Sequence, residues 1–306
     1  MNMGAGPDHI SKMTLRRTVR SAFALLAALL VVAVTGGCGS STPSATVDPL
    51  SRAAFTTSSA DGAKLAMHMQ IDLGSLGGQI AMDGKGHVNF KDGESELTMT
   101  LNGLPAAASS VLPDGTTIAE RFTGGKVYVG SPVFAGKLPN GASWMAIDVA
   151  AVAGKLGLDP QSLASGQANP AQFLQYLRAS GGSVQAAGTQ FVRGVRTTRY
   201  TGSIDLRKAA SQLPGSSGAT KQAVEKLIGQ LGIGSMPVQV WVDSHQLVRR
   251  IEIDLPLSVG GQRLQAGVVV EFFDFGATPS VHAPAASETY EVSGDALSSG
   301  AAGLGG

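Results

Sequence analysis

From Lys64 to Leu73 the chain alternates with a period of two. Leu65, Met67, Met69, Ile71 and Leu73 fall on one side, and Ala66, His68, Gln70 and Asp72 on the other. Apolar residues on one side only predict a half-buried antiparallel strand. Leu97, Met99 and Leu101 repeat the pattern against Glu96, Thr98 and Thr100, and Val127 and Val129 predict a short strand after the turn at Gly124-Gly125. Gly84 and Gly86 interrupt the run between and predict a turn or bulge. The middle of the chain loses this period. Trp144 to Leu158 includes an Ala-rich stretch that predicts a short helix. Asn169-Pro170 supply an N-cap and a first-turn proline for a helix over PAQFLQYLRAS, closed by Gly181-Gly182. A further helix is predicted over Lys221 to Leu231, with Val224, Leu227 and Ile228 on its apolar side.

Strand patterns surround these helices. Thr198, Tyr200, Ile204 and Leu206 fit one strand face after the turn near Gly194. Val238, Val240 and Val242 alternate with Gln239, Trp241 and Asp243. Leu247, Arg249, Ile251, Ile253 and Leu255 alternate with Val248, Arg250, Glu252 and Asp254. The run from Leu264 to Phe275 is apolar on both faces in places. Long strands joined by tight turns, with few helices among them, indicate an α+β fold built on one large antiparallel sheet. No repeat of 20–50 residues is evident.

The first 38 residues obey other rules. Lys12, Arg16, Arg17 and Arg20 precede an unbroken apolar run from Ala22 to Val34, and Thr35-Gly36-Gly37 lead to Cys38, the single cysteine. A basic region, an apolar stretch of roughly 7–15 residues and a small-residue exit are the parts of a secretory signal. The run is short of the roughly 20 residues that span a bilayer. A lone cysteine just after the small residues resembles a bacterial lipoprotein signal, which implies that Cys38 is acylated and becomes the new N-terminus. The expected division is therefore a lipoprotein signal peptide at 1–37, a lipidated cysteine and flexible tether at 38–52, a folded domain at 53–293 and a disordered Gly/Ala/Ser tail at 294–306.

Charge changes little in this picture but excludes something. The 306 residues hold 23 Lys and Arg against 22 Asp and Glu. Residues 1–37 take four basic groups and one acid, which leaves 19 basic and 21 acidic residues, net −2. A nucleic-acid partner normally needs a clustered basic surface, and none is visible. Attachment to the cell membrane would come from acyl chains, two or more of which anchor stably. One cysteine makes neither an internal disulfide nor a cysteine-based metal site.

Catalytic patterns are scarce. His68, His87, His245 and His282 stand at no metal-ligand spacing. Asp243-Ser244-His245 cannot converge as a triad from three adjacent turn residues and reads as a polar hairpin turn. Glu252 and Asp254 share a strand face and are candidate paired carboxylates for glycoside chemistry, but beside Arg250 they read as solvated. The chain is expected to be a binding protein without cofactor or metal, not an enzyme. Met67, Met69, Met82 and Met99 all fall on predicted inward faces, and methionine adapts to irregular apolar ligands as well as to ordinary cores.

Several segments carry a family likeness. Gly125-Lys126-Val127-Tyr128-Val129, Leu138-Pro139-Asn140-Gly141-Ala142-Ser143-Trp144 and Phe173-Leu174-Gln175-Tyr176-Leu177-Arg178 are three of them. The others are the run from Gly188 to Tyr200, Val240-Trp241-Val242-Asp243 and Leu247-Val248-Arg249-Arg250. Together they resemble the LppX/LprG group of actinobacterial envelope lipoproteins, within the LolA-like superfamily. The resemblance implies a strongly curved antiparallel half-barrel whose helices cover the concave face over an apolar cavity. It also implies a lipid or glycolipid ligand, carried within the envelope and passed to a transporter partner. The protein would be lipid-anchored on the outer face of the cell membrane. Leu65, Met67, Met69, Ile71, Leu97, Met99, Ile251 and Ile253 are the candidate lining residues. Two other readings stay open: an envelope adapter or sensor with a filled core that binds another protein, and a hydrolase with dispersed catalytic residues.

Overall fold

A computed structural model describes residues 49–74, 78–104, 112–156, 184–211, 222, 225–226, 228–229, 232–259 and 262–292. The predicted leader, Cys38, the helix at 170–180 and the tail at 294–306 lie outside them. Of the helix predicted over 221–231, Gln222, Glu225, Lys226, Ile228 and Gly229 are described and are helical.

The helices are α1 (Pro49–Ser58), α2 (Val149–Leu156) and α3 (Leu206–Ser211). The strands of the first half are β1 (Gly62–Asp72), β2 (Gln79–Asn89), β3 (Glu94–Asn102), β4 (Thr116–Thr123), β5 (Lys126–Gly130) and β6 (Trp144–Asp148). Those of the second are β7 (Gln185–Val192), β8 (Val195–Asp205), β9 (Ser235–Asp243), β10 (Val248–Val259), β11 (Gln262–Phe273) and β12 (Thr289–Glu291). All twelve form one open sheet in the order β12-β6-β5-β4-β3-β2-β1-β11-β10-β9-β8-β7. Every neighbouring pair is antiparallel except β12 with β6. The fold is α+β, as the alternation predicts.

The sheet is bent. Arg193, in the turn between β7 and β8, stands three strand spacings from β11, about 14 Å on a flat sheet. Its Nε nevertheless donates to Glu271 Oε2 at 2.7 Å, and its Cζ lies 4.0 Å from the centre of the Phe273 ring. Only a sheet that curls between β8 and β11 brings these groups together.

Three sequence expectations need correction. Gly84 and Gly86 make no bulge: β2 pairs in unbroken register with β1 and β3 through both. A Cβ on Gly84 would sit 3.1 Å from Leu97 Cδ1 and from Met99 Cγ, so the missing side chain leaves room for its neighbours. Residues 144–148 are a strand, and the helix begins only at Val149. Leu206 opens α3 and does not extend β8.

Irregularities lie elsewhere: β7 shifts register against β8 between Ala186 and Thr189, and β10 shifts against β9 between Val248 and Arg250. Arg249 is the extra residue, so simple alternation misplaces it and Leu247 relative to Ile251. A bulge leaves a ladder N–H without a strand partner. Here Thr57 Oγ1 of α1, fully buried, accepts the Val248 N–H at 2.9 Å. The helix is amphipathic in the way this contact needs: Leu50, Ala53, Ala54 and Thr57 form its buried stripe. It begins at Pro49, inside the stretch expected to be tether. Thr57→Val keeps the shape and orphans the Val248 N–H. The expected loss is about 1–3 kcal/mol in chemical denaturation, whereas Thr57→Ser should recover most of it.

After β11 the chain crosses the sheet as a strap. Gly276 N–H donates to Gly62 O, Arg121 Nη1 donates to His282 O, and Ser143 N–H donates to Glu288 O. The strap ends as β12, where Lys126 Nζ meets Glu291 Oε1 at 2.7 Å. Its crossing covers the face that bears Arg121 and leaves the opposite face to the methionines.

Candidate functional site

Directly paired residues of antiparallel strands share a face, so the register identifies what lies together. From β4 to β9 one row reads Ile118, Met99, Gly84, Met67, Val270, Ile251 and Val240. The next reads Thr116, Leu101, Met82, Met69, Val268, Ile253 and Val238. A third runs the other way from Phe272 through Leu65, Gly86, Leu97, Glu120, Val129 and Met145 to Tyr290. Ile71 pairs with Ile80 and Ala266 on the same side. All eight candidate lining residues thus share one apolar face, although strands as far apart in sequence as β3 and β10 supply them.

Burial across this face is uneven. Met82, Met99 and Leu101 are almost wholly buried, and Leu65, Met67, Met69, Leu97 and Ile251 are buried. Ile71, Val268, Val270 and Ile253, on three adjacent strands, are only half-buried. At the other end the turn after β5 folds over the same face. Phe134, Leu138 and Ala142 pack there with Val129, Val133, Met145 and Tyr290. One end of the apolar face is therefore partly covered by its own chain, and a patch nearer the middle also keeps apolar surface accessible.

Glu120 interrupts this surface. Among the described residues of β1–β6 it is the one Asp, Glu, Lys, Arg or His whose register places it on the apolar face. Leu97 and Val129 stand opposite it, and Ile118 and Phe122 flank it along β4. Its strand neighbour Arg121 points to the other face, where Nε donates to Glu96 Oε1 at 2.9 Å and Cζ lies 4.9 Å from the Trp144 ring. No described residue gives Glu120 a hydrogen bond or an ion pair. Glu120 is half-buried, and the partial loss of water around it, without a compensating charge, raises its pKa above the ordinary carboxylate value of 4.5. The consequence for stability has a definite sign. Below 4.5 the carboxyl is protonated both folded and unfolded and contributes nothing. Above it the unfolded chain ionises first, so stability falls with rising pH until the native carboxyl also ionises. Glu120→Gln is expected to remove that decline, as measured by denaturation midpoints at several pH values. An unchanged slope would refute the assignment.

The opposite face carries paired polar groups. His68 and Asp83 meet across β1 and β2 at 2.8 Å. Gln239 Nε2 donates to Glu252 Oε1 at 3.3 Å, Arg250 Nη2 pairs with Glu252 Oε2 at 3.1 Å, and Arg250 Cζ lies 4.9 Å from the Trp241 ring. Glu252 is thus held by an arginine and an amide on the polar side. In the β9–β10 turn, buried Asp243 Oδ1 accepts the N–H groups of His245 and Leu247 and Oδ2 accepts from Arg249 Nε, a turn-stabilising arrangement. No group of three or more His, Cys, Asp or Glu that could hold a metal occurs among the described residues.

Sequence reasoning missed Glu120 because it missed β4. In TTIAERFT the adjacent pair Glu120-Arg121 breaks the alternation, so the strand shows no period of two. The available signal was spacing: Asp114-Gly115 and Gly124-Gly125 bracket eight residues, the length of a strand between two turns.

No family model matches the chain. It is 24% identical over 222 residues to an uncharacterized 31.2 kDa protein in the rplA-rplJ intergenic region of Streptomyces griseus, covering 71% of this chain and 70% of that one. Among solved structures it is similar to the lipoprotein LppX of Mycobacterium tuberculosis, with a TM-score of 0.44 and 16% identity over 77% of this chain and 100% of that one. LprF of Mycobacterium bovis gives a TM-score of 0.41 and 12% identity over 78% and 95%. A LolA superfamily protein of Nitrosomonas europaea gives 0.28 and 11% over 76% and 93%. The group anticipated from the strand motifs is thus represented among the solved structures.

Proposed function

We propose that this chain is an envelope lipoprotein, anchored through acylated Cys38, whose apolar sheet face binds a lipid or glycolipid and carries it within the envelope. The observation that supports the reading is the half-buried patch of Ile71, Val268, Val270 and Ile253 on a face that also carries buried methionine, leucine and isoleucine. A filled core would bury all four. An acyl chain laid against them would gain roughly 0.8 kcal/mol for each CH₂ removed from water, which offsets the loss of membrane contact. Met67, Met69, Met82 and Met99 suit such an occupant because flexible thioethers adjust to its shape. An anchored carrier of this kind would load from the outer leaflet and deliver to an envelope transporter.

Two experiments test the reading. The Cys38→Ser chain, purified without detergent from an actinobacterial host, is expected to retain an organic-extractable mass in native mass spectrometry. A clean apo mass, persisting after incubation with host lipids, would point to a filled core and a protein partner. Anchoring is tested separately by feeding cells an alkynyl fatty acid. Wild type should take up the label and Cys38→Ser should not, and equal labelling of both would place the anchor elsewhere.

A further inference from the structure

We propose that Glu120 is the polar contact of the apolar-face site, and that it selects a lipid whose polar part is uncharged and carries hydroxyl or ester oxygens. The inference rests on the lipid-binding reading and adds the chemistry of the ligand's polar end. Within β1–β6, register alone brings Glu120 to the apolar face, opposite Leu97 and Val129. The cluster of Phe134, Leu138 and Ala142 packs on Val129 at one side, and the Met67–Met99 row lies at the other. A carboxyl at that junction stands where an acyl chain along the methionine row would end. Glu120 is half-buried among these apolar groups, so a ligand that covers it displaces its remaining water and must give the carboxyl a polar partner instead. The apolar surroundings favour the protonated carboxyl, which can donate to an ester or carbonyl oxygen and accept from a hydroxyl. An anionic headgroup would find no described lysine, arginine or histidine on this face of β1–β6. A cationic one would require the ionised form that those surroundings disfavour.

The test uses the intact protein, wild type, Glu120→Gln and Glu120→Leu, mixed with phosphatidylcholine vesicles. The vesicles carry either a fluorescent diacylglycerol or a fluorescent alkane with no polar end. Wild type and Glu120→Gln should capture both probes, since an amide also donates and accepts. Glu120→Leu should lose about tenfold in affinity for the diacylglycerol, the worth of one buried hydrogen bond. It should keep its affinity for the alkane and a thermal midpoint no lower than wild type. Equal capture of diacylglycerol by Glu120→Leu, with the alkane also bound, would overturn the role of Glu120 and leave the lipid-binding reading standing. Capture of neither probe by wild type would overturn both. Stronger capture of a fluorescent cationic amphiphile, lost in Glu120→Gln, would overturn the assigned ligand class.

Discussion

Asp243→Ala is expected to lower the stability of the folded sheet by about 3–5 kcal/mol, the usual consequence of removing one partner of a buried ion pair. The Asp243 side chain is fully buried, and Arg249 Nε, 2.7 Å from Oδ2, is little more exposed. Alanine would strand the guanidinium and also free the N–H groups of His245 and Leu247, both bonded to Oδ1. Because Arg249 is the bulge residue of β10, the damage should reach the register between β9 and β10. Asp243→Asn retains an oxygen for the turn but not the charge, and its loss should be intermediate. Chemical denaturation of the three proteins measures the series. A loss below about 1 kcal/mol for alanine would mean that the carboxylate does not hold this hairpin.

The second large effect concerns binding. Met69→Glu places a carboxyl beside Met82 and Val268, where no described cation faces it. The burden of an unpaired carboxyl in apolar surroundings is about 2 kcal/mol or more, so lipid retention should fall at least about tenfold. Met69→Leu changes shape but not polarity and should cost less than about 1.5 kcal/mol in stability, with retention close to wild type. The comparison is read by lipid extraction from equal amounts of folded protein, with circular dichroism as the check on folding. Unchanged retention by folded Met69→Glu would remove Met69 from the lining.

How much of the fold was legible before the structure depended on how one-sided each strand is. β1, β3 and β9 each carry apolar residues at every second position of one face, and the alternation places them and their inward methionines or valines. β4 is invisible to that rule because Glu120 lies on its apolar side. β6 is only five residues long and abuts an Ala-rich helix, so WMAID merges with α2 in any local pattern. The three residues of β12 are a strand only because β6 offers them an edge. Gly84 and Gly86 misled for a different reason. A glycine in a strand commonly marks a break, but Gly84 makes room for Leu97 and Met99 within a regular ladder. Conversely, nothing about Val248-Arg249-Arg250 announces the bulge in β10, which depends on a threonine 191 positions earlier in the chain.

The candidate site was legible as a face and not as a place. Alternation assigned Met67, Met69, Leu97, Met99, Ile251 and Ile253 to inward sides of their own strands. Register, which no local pattern encodes, put those sides edge to edge and added Val268 and Val270 from a strand that looked apolar on both faces.

The seam between β1 and β11 has a bearing on how the protein is made. Lys64 pairs with Phe273, and Asp72 with Gln265, so the middle of the sheet joins the start of the folded region to its end. During synthesis β1 therefore waits with one edge unpaired until nearly the whole chain has emerged. Contacts this distant in sequence form slowly, and an unpaired strand edge flanked by methionines invites association with other chains. A folding problem of that kind is eased when β1 is held extended until β11 is available to pair with it. It also means that loss of residues beyond about 260 would leave β1 without its partner, rather than merely shortening the protein.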